Sequence, residues 1–73
     1  MRKRSVSLNG HRTSVSLEDE FWAALEGFAQ ADARSLPSLI ADIDRARIDK
    51  TPPPGLASAL RVYVLKRAQG AAG

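Results

Sequence analysis

The chain has no cysteine, one histidine, one tryptophan and one tyrosine in 73 residues. Without cysteine there is neither a disulfide staple nor a thiolate metal site. The lone imidazole, His11, has no partner at ligand spacing, so a structural metal is not expected. Long apolar runs are also missing. The start of the chain is charged and then polar, which gives no signal-peptide pattern and no membrane span, and a cytoplasmic protein is the expectation. Apolar residues make up 44% of the chain, enough to argue against wholesale disorder. A single core of this size barely offsets chain entropy, which makes oligomerisation the expected way to enlarge it.

Acids are absent from one particular region. Residues 1–17 hold Arg2, Lys3, Arg4 and Arg12 and no acid, whereas Glu18, Asp19, Glu20, Glu26 and Asp32 crowd the next stretch. The formal charge is only +3, but a basic leader ahead of an acidic helix makes a face suited to polyanions.

Catalytic apparatus is lacking too. There is no nucleophile beside a base, no paired carboxylates framed by a pocket, and no P-loop or GxGxxG. The chain is therefore not expected to be an enzyme or to need a cofactor.

Residues 5–17 read SVSLNGHRTSVSL, with the same four letters on either side of Asn9-Gly10. Alternation of period two marks strands with one buried face, and Asn-Gly is the strongest short hairpin signal. A two-residue turn sets Leu8 opposite His11, Val6 opposite Thr13 and Ser5 opposite Ser14. Val6, Leu8, Thr13, Val15 and Leu17 then share one side, and Ser5, Ser7, Arg12, Ser14 and Ser16 the other.

Helical period begins at Glu18, with Phe21, Leu25, Phe28 and Ala29 on one stripe beside Trp22. Ser16 with Asp19 looks like an N-cap pair, and the helix should run to about Ala33. Ser35 reads as the next N-cap, with Pro37 in the first turn. Leu36, Leu39, Ile40, Ile43 and Ile48 form the second stripe, with Asp42, Asp44, Arg45 and Arg47 opposite. The prolines of TPPPG end that helix. A third helix is expected from Leu56, with Leu60, Tyr63 and Val64 inward, Arg61, Lys66 and Arg67 outward, and a frayed QGAAG end. The domain plan is a basic arm (1–4), a strand-helix-helix unit (5–50), a proline-rich connector (51–55) and a C-terminal helix of the same domain (56–69). The fold class is mainly α with a short β segment: an N-terminal strand or hairpin followed by three helices.

The order strand, helix, helix, carried by RTSVSLEDEFWAALEGFAQADARSLPSLIADI, resembles the ribbon-helix-helix (MetJ/Arc-like) proteins over roughly residues 11–48. GHRTSVSL with FW and a late SALRVYVL is similar to a short stand-alone bacterial subgroup. The resemblance implies a homodimeric DNA-binding transcriptional regulator, a repressor by type, that places an intermolecular β-ribbon in the major groove. It assigns Arg12, Ser14 and Ser16 to base edges. The backbone at Ser35 and Leu36 would hold a phosphate, and Arg2, Lys3 and Arg4 would be further phosphate contacts from the arm. Val15, Leu17, Phe21, Leu25, Phe28, Leu39, Ile40 and Ile43 would form the dimer core.

Two features depart from the short pattern, the third helix and the extra Ser5–Leu8 strand. With that strand in place, pairing two chains gives four strands, too wide for the groove; either Ser5–Leu8 peels away as a mobile arm on DNA, or it stays as an edge strand and the chain does not bind DNA in the family's manner. The alternative function is a dimeric protein-interaction module that keeps the fold without inserting the ribbon in DNA. An antitoxin-like role would require a toxin-binding tail, and a protein partner for the C-terminal helix is left open.

Overall fold

The computed structural model describes residues 1–72, with side chains described through residue 70. Five elements follow in order: β1 (Arg2–Leu8), β2 (His11–Leu17), α1 (Asp19–Ala31), α2 (Leu36–Ile48) and α3 (Leu56–Ala72). The strands form a two-stranded antiparallel sheet in the register expected from Asn-Gly. Asn9 (φ 53°) and Gly10 (φ 82°) both adopt positive φ, as a type I′ turn requires. Pairing runs further than expected, to Arg2 opposite Leu17. Arg2, Lys3 and Arg4, expected as an arm ahead of the hairpin, are the opening residues of β1.

One face of the hairpin packs on the helices, with α2 against β1 and α3 against β2. The core joins Val6, Leu8, Val15 and Leu17 of the hairpin to Trp22, Leu25 and Ala29 of α1, Leu39, Ile40 and Ile43 of α2, and Leu60 and Val64 of α3. Leu17, Leu25, Ile40 and Leu60 are completely buried, each worth roughly 1.5–3 kcal/mol of removed apolar surface. Of the residues expected at a dimer core, Val15, Leu17, Leu25, Leu39, Ile40 and Ile43 are thus already covered within one chain. In the single chain described they lie in its own core. The reason lies in β1 and α3, which supply the covering surface. Phe21 and Phe28 remain half-buried at the margin.

The helix ends follow local chemistry. The α1 N-cap is Glu18 rather than Ser16. Its backbone is extended, and its carbonyl accepts from the Phe21 and Trp22 amides at 3.0 and 3.2 Å. The helix stops at Ala31 because Ala33 turns left-handed (φ 53°) and the Arg34 amide donates back to the Ala29 carbonyl at 3.0 Å, the bond pattern of a Schellman end. Ser35 caps α2 as expected, its hydroxyl accepting from the Ser38 amide at 3.2 Å.

The second stripe is rotated from the expected one. Ile48 is exposed, and Asp44, placed on the solvent side by periodicity, is buried. Arg47 explains this, donating to Asp44 at 2.7 and 2.9 Å and to the Pro54 carbonyl at 3.2 Å. A buried carboxylate is tolerable when a cation and hydrogen bonds accompany it.

α3 continues past Ala68 to Ala72, beyond the expected frayed start at Gln69. Two arginines expected to point outward instead fasten it to α1. Arg61 pairs with Glu18 at 3.0 Å, and Arg67 grips both oxygens of Asp32 at 2.7 Å while donating to the Tyr63 hydroxyl. Arg67 also lies 4.5 Å over the Phe28 ring, which meets Tyr63 edge-on. Among the described residues, no helix is long and apolar enough to cross a membrane.

Candidate nucleic-acid interface

Strand alternation divides the basic leader between two environments. Arg2 and Arg4 fall on the helix side with Val6 and Leu8; Lys3 falls on the outer side with Ser5 and Ser7. Arg4 is taken up by α1: its guanidinium lies 4.8 Å over the Trp22 ring and donates to Glu26 at 2.6 Å. Arg2 pairs with Asp19 at 3.3 Å, and its carbonyl accepts from the Trp22 indole N–H at 2.9 Å. The expectation of three free cations on an arm is corrected accordingly. Arg4 is structural, Arg2 is held in an exposed and therefore weak pair, and only Lys3 faces outward.

The outer face of the hairpin consists of three cross-strand pairs: Lys3 with Ser16, Ser5 with Ser14, and Ser7 with Arg12. All six residues are exposed. The face has no acid, and among the described residues neither Lys3 nor Arg12 has an ion-pair partner. Arg12, Ser14 and Ser16, expected at base edges, therefore do share one open surface. Ser5 and Ser7 lie there too, as the alternation predicts, and Lys3 joins them because the same alternation runs on to the start of β1.

Backbone polarity adds a second property. A type I′ turn closes on a hydrogen-bonded pair, Leu8 with His11, and such pairs alternate along an antiparallel ladder. The N–H and C=O groups of Arg12, Ser14 and Ser16 therefore point away from β1, toward an outer edge that no described strand covers. Lys3, Ser5 and Ser7 present the corresponding groups on the outer edge of β1.

The other expected anion site, the α2 N-terminus, offers less than the sequence implies. Residue 37 is proline, the Ser38 amide is used by Ser35, and the Leu39 amide bonds the Ser35 carbonyl at 3.1 Å. The Leu36 amide is the one first-turn donor left among the described residues. Arg34 braces the turn by donating to the Ser38 side chain and carbonyl and to Asp42. Arg45 also bonds Asp42.

Two carboxyls outside this face titrate low. Asp32 lies below the ordinary carboxylate value chiefly through its hydrogen bonds from Arg67. Glu18 is lowered first by a hydrogen bond its carboxylate accepts from its own backbone and then by one from Arg61. Arg67 is raised in turn by Asp32 and Tyr63. These groups fasten α3 and do not belong to the outer face.

No curated protein and no solved structure matches the chain. A family model described as a ribbon-helix-helix domain matches residues 1–68, taking in β1 and most of α3 as well as the stretch that carried the resemblance. An N-terminal ribbon, two packed helices behind it and a match over nearly the whole length place this chain in the ribbon-helix-helix family.

Proposed function

We infer that the chain binds double-stranded DNA through the outer face of its hairpin and serves as a small transcriptional regulator. The supporting observation is the acid-free outer face, where Lys3 and Arg12 stand without ion-pair partners among polar serines. A two-stranded ribbon fits the major groove, about 12 Å wide. Arg12 can bond a guanine edge in bidentate fashion, worth roughly 1–3 kcal/mol of discrimination, and serine hydroxyls read bases less selectively. The Leu36 amide, at the positive end of α2, is the natural phosphate contact. Arg2 is a secondary one, because its exposed pair with Asp19 is readily exchanged. In the homodimer form of this reading, the outer edge of β2 pairs with that of a second copy, joined by the backbone groups of Arg12, Ser14 and Ser16.

Fluorescence anisotropy against duplex DNA at two salt concentrations tests the inference. Affinity should fall steeply with salt and weaken on Arg12→Ala. Micromolar protein that leaves DNA unbound at low salt would sink it.

A second reading, a protein-interaction module, draws on an open groove of about 440 Å³ between α2 and α3. Ile43, Ala46, Val62 and Tyr63 line it together with Lys50 and Lys66. That combination suits an acidic amphipathic segment of another protein. Under this reading Val62→Asp abolishes partner capture while Arg12→Ala leaves it intact.

A further inference from the structure

The outer edge of β1 is a second open edge, and pairing two chains through β2 leaves it unused. It carries the backbone groups of Lys3, Ser5 and Ser7, whose side chains stand on the same acid-free face as Arg12, Ser14 and Ser16. All three are exposed, and Lys3 has no ion-pair partner among the described residues. An ammonium, two hydroxyls and outward-pointing amides thus form one strip of donors.

Pairing through β2 fixes where those strips go. The outward backbone groups of β2 belong to Arg12, Ser14 and Ser16, so full overlap centres the two-fold axis on Ser14. The sheet order is then β1, β2, the partner's β2 and the partner's β1. The middle row of its outer face is serine throughout. Each end row carries Ser7, Arg12, Ser16 and Lys3 in that order, with the arginine on a central strand and the lysine on an outer one.

The dimensions of the duplex sort these positions. Central strands lie about 4.8 Å apart and fit a major groove about 12 Å wide. The outer strand axes are about 14 Å apart, which sets them beyond that width and over the phosphate walls. Serine side chains are short, so β1 can rest close to a wall while Lys3 reaches along it. We propose that β1 is a phosphate-binding rail. In the DNA-bound dimer, each β1 edge holds the phosphodiester backbone on one side of the groove through the Lys3 ammonium, the Ser5 and Ser7 hydroxyls and the amides of these residues. Arg12, on the central strands, reads bases. This rests on the DNA-binding reading and its homodimer form, and it gives the additional strand a task there: β1 neither enters the groove nor leaves the sheet.

The inner side of β1 supplies the anchorage that a rail needs. Val6 and Leu8 lie in the core. Arg4 covers the Trp22 ring and bonds Glu26, and the Trp22 indole donates to the Arg2 carbonyl. These contacts run the length of the strand and oppose its release as a free arm.

The test uses the full chain, a duplex selected from a randomised pool and a scrambled counterpart, with anisotropy over a salt series. Lys3→Ala should weaken binding to both duplexes by the same factor. It should also reduce the slope of log affinity against log salt by about 2, roughly one for each chain of the dimer. Arg12→Ala should instead narrow the difference between the two duplexes. Circular dichroism checks that neither exposed substitution alters the fold. Amide exchange in the wild-type complex separates a rail from an arm. The Lys3, Ser5 and Ser7 amides should gain protection on DNA, while those of Arg4, Val6 and Leu8, which bond β2, stay protected. An unchanged salt slope for Lys3→Ala would overturn the rail and leave DNA binding by β2 standing. Exposure of the Arg4, Val6 and Leu8 amides in the complex would overturn it in favour of a released arm. A change of base preference in Lys3→Ala would do so by placing β1 inside the groove. No DNA binding at low salt would remove the functional reading itself.

Discussion

The two faces of one hairpin carry similar charge and put it to different uses. On the inner face, Arg2 and Arg4 meet Asp19, Glu26 and the Trp22 ring. On the outer face, Lys3 and Arg12 are exposed opposite serines and have no ion-pair partner among the described residues. A single step along β1 separates a cation that holds the fold together from one available to a polyanion. The number of basic residues in the leader therefore says little about nucleic-acid affinity; their strand parity says much more.

The largest expected contrast lies between adjacent residues of β2. Leu17 is completely buried, and Leu17→Ala should cost about 2–5 kcal/mol, enough to bring a domain of this size close to unfolding. Ser16→Ala, one position away on the exposed face, should fall within about 0.5 kcal/mol. Urea melts of both variants measure the difference, and equal losses would mean the faces are misassigned.

A second contrast separates stability from binding. Arg4→Ala should lower stability by about 0.5–1 kcal/mol, through its partly exposed ring contact and ion pair, and leave DNA affinity nearly unchanged. Lys3→Ala should leave the melt unchanged and flatten the salt dependence of binding. If the two exchanged behaviour, the parity argument would be wrong.

The turn joins both faces, and Gly10 holds φ at 82°. An added Cβ there meets no atom within 4 Å. Gly10→Ala should therefore cost only the left-handed conformation, about 1–2 kcal/mol, with loss of binding following loss of ribbon order. Amide exchange along β1 and β2 reads this directly.

The smallest effect concerns acid. Glu18 and Asp32 have folded pKa values below their unfolded ones. Their contribution is present above the ordinary carboxylate range, near pH 4, and is lost as pH falls through the lowered folded values. Melting temperature should decline on acidification below about pH 4, and Asp32→Asn with Glu18→Gln should shallow that decline. Because both pairs lie at α3, the hairpin faces should keep their distinction while α3 loosens.

Much of the fold was legible in the chain. Asn9-Gly10 set the turn, alternation set the register and the faces, Ser35 with Pro37 marked the start of α2, and TPPPG marked its end. Less was legible where long side chains choose distant partners. Ser16 looked like a cap until Glu18 supplied the carbonyl, and Asp44 looked solvated until Arg47 accompanied it inward. Arg61 and Arg67 looked outward until they reached Glu18 and Asp32, 43 and 35 residues away. The candidate site divides in the same way. That Arg12, Ser14 and Ser16 share an exposed face is legible from alternation, whereas nothing local shows that pairing runs on to Arg2 and brings Lys3 onto the same face.

By itself the sequence determined the elements, the turn and which serines face outward, because backbone periodicity and turn chemistry act over a few residues. Only the tertiary structure decided which core residues β1 and α3 cover, that Arg4 is half-buried against Trp22 while Lys3 is exposed, and that Arg61 and Arg67 fasten α3 to the ends of α1. Those outcomes depend on which surfaces meet across the whole molecule, and no local pattern encodes such a meeting.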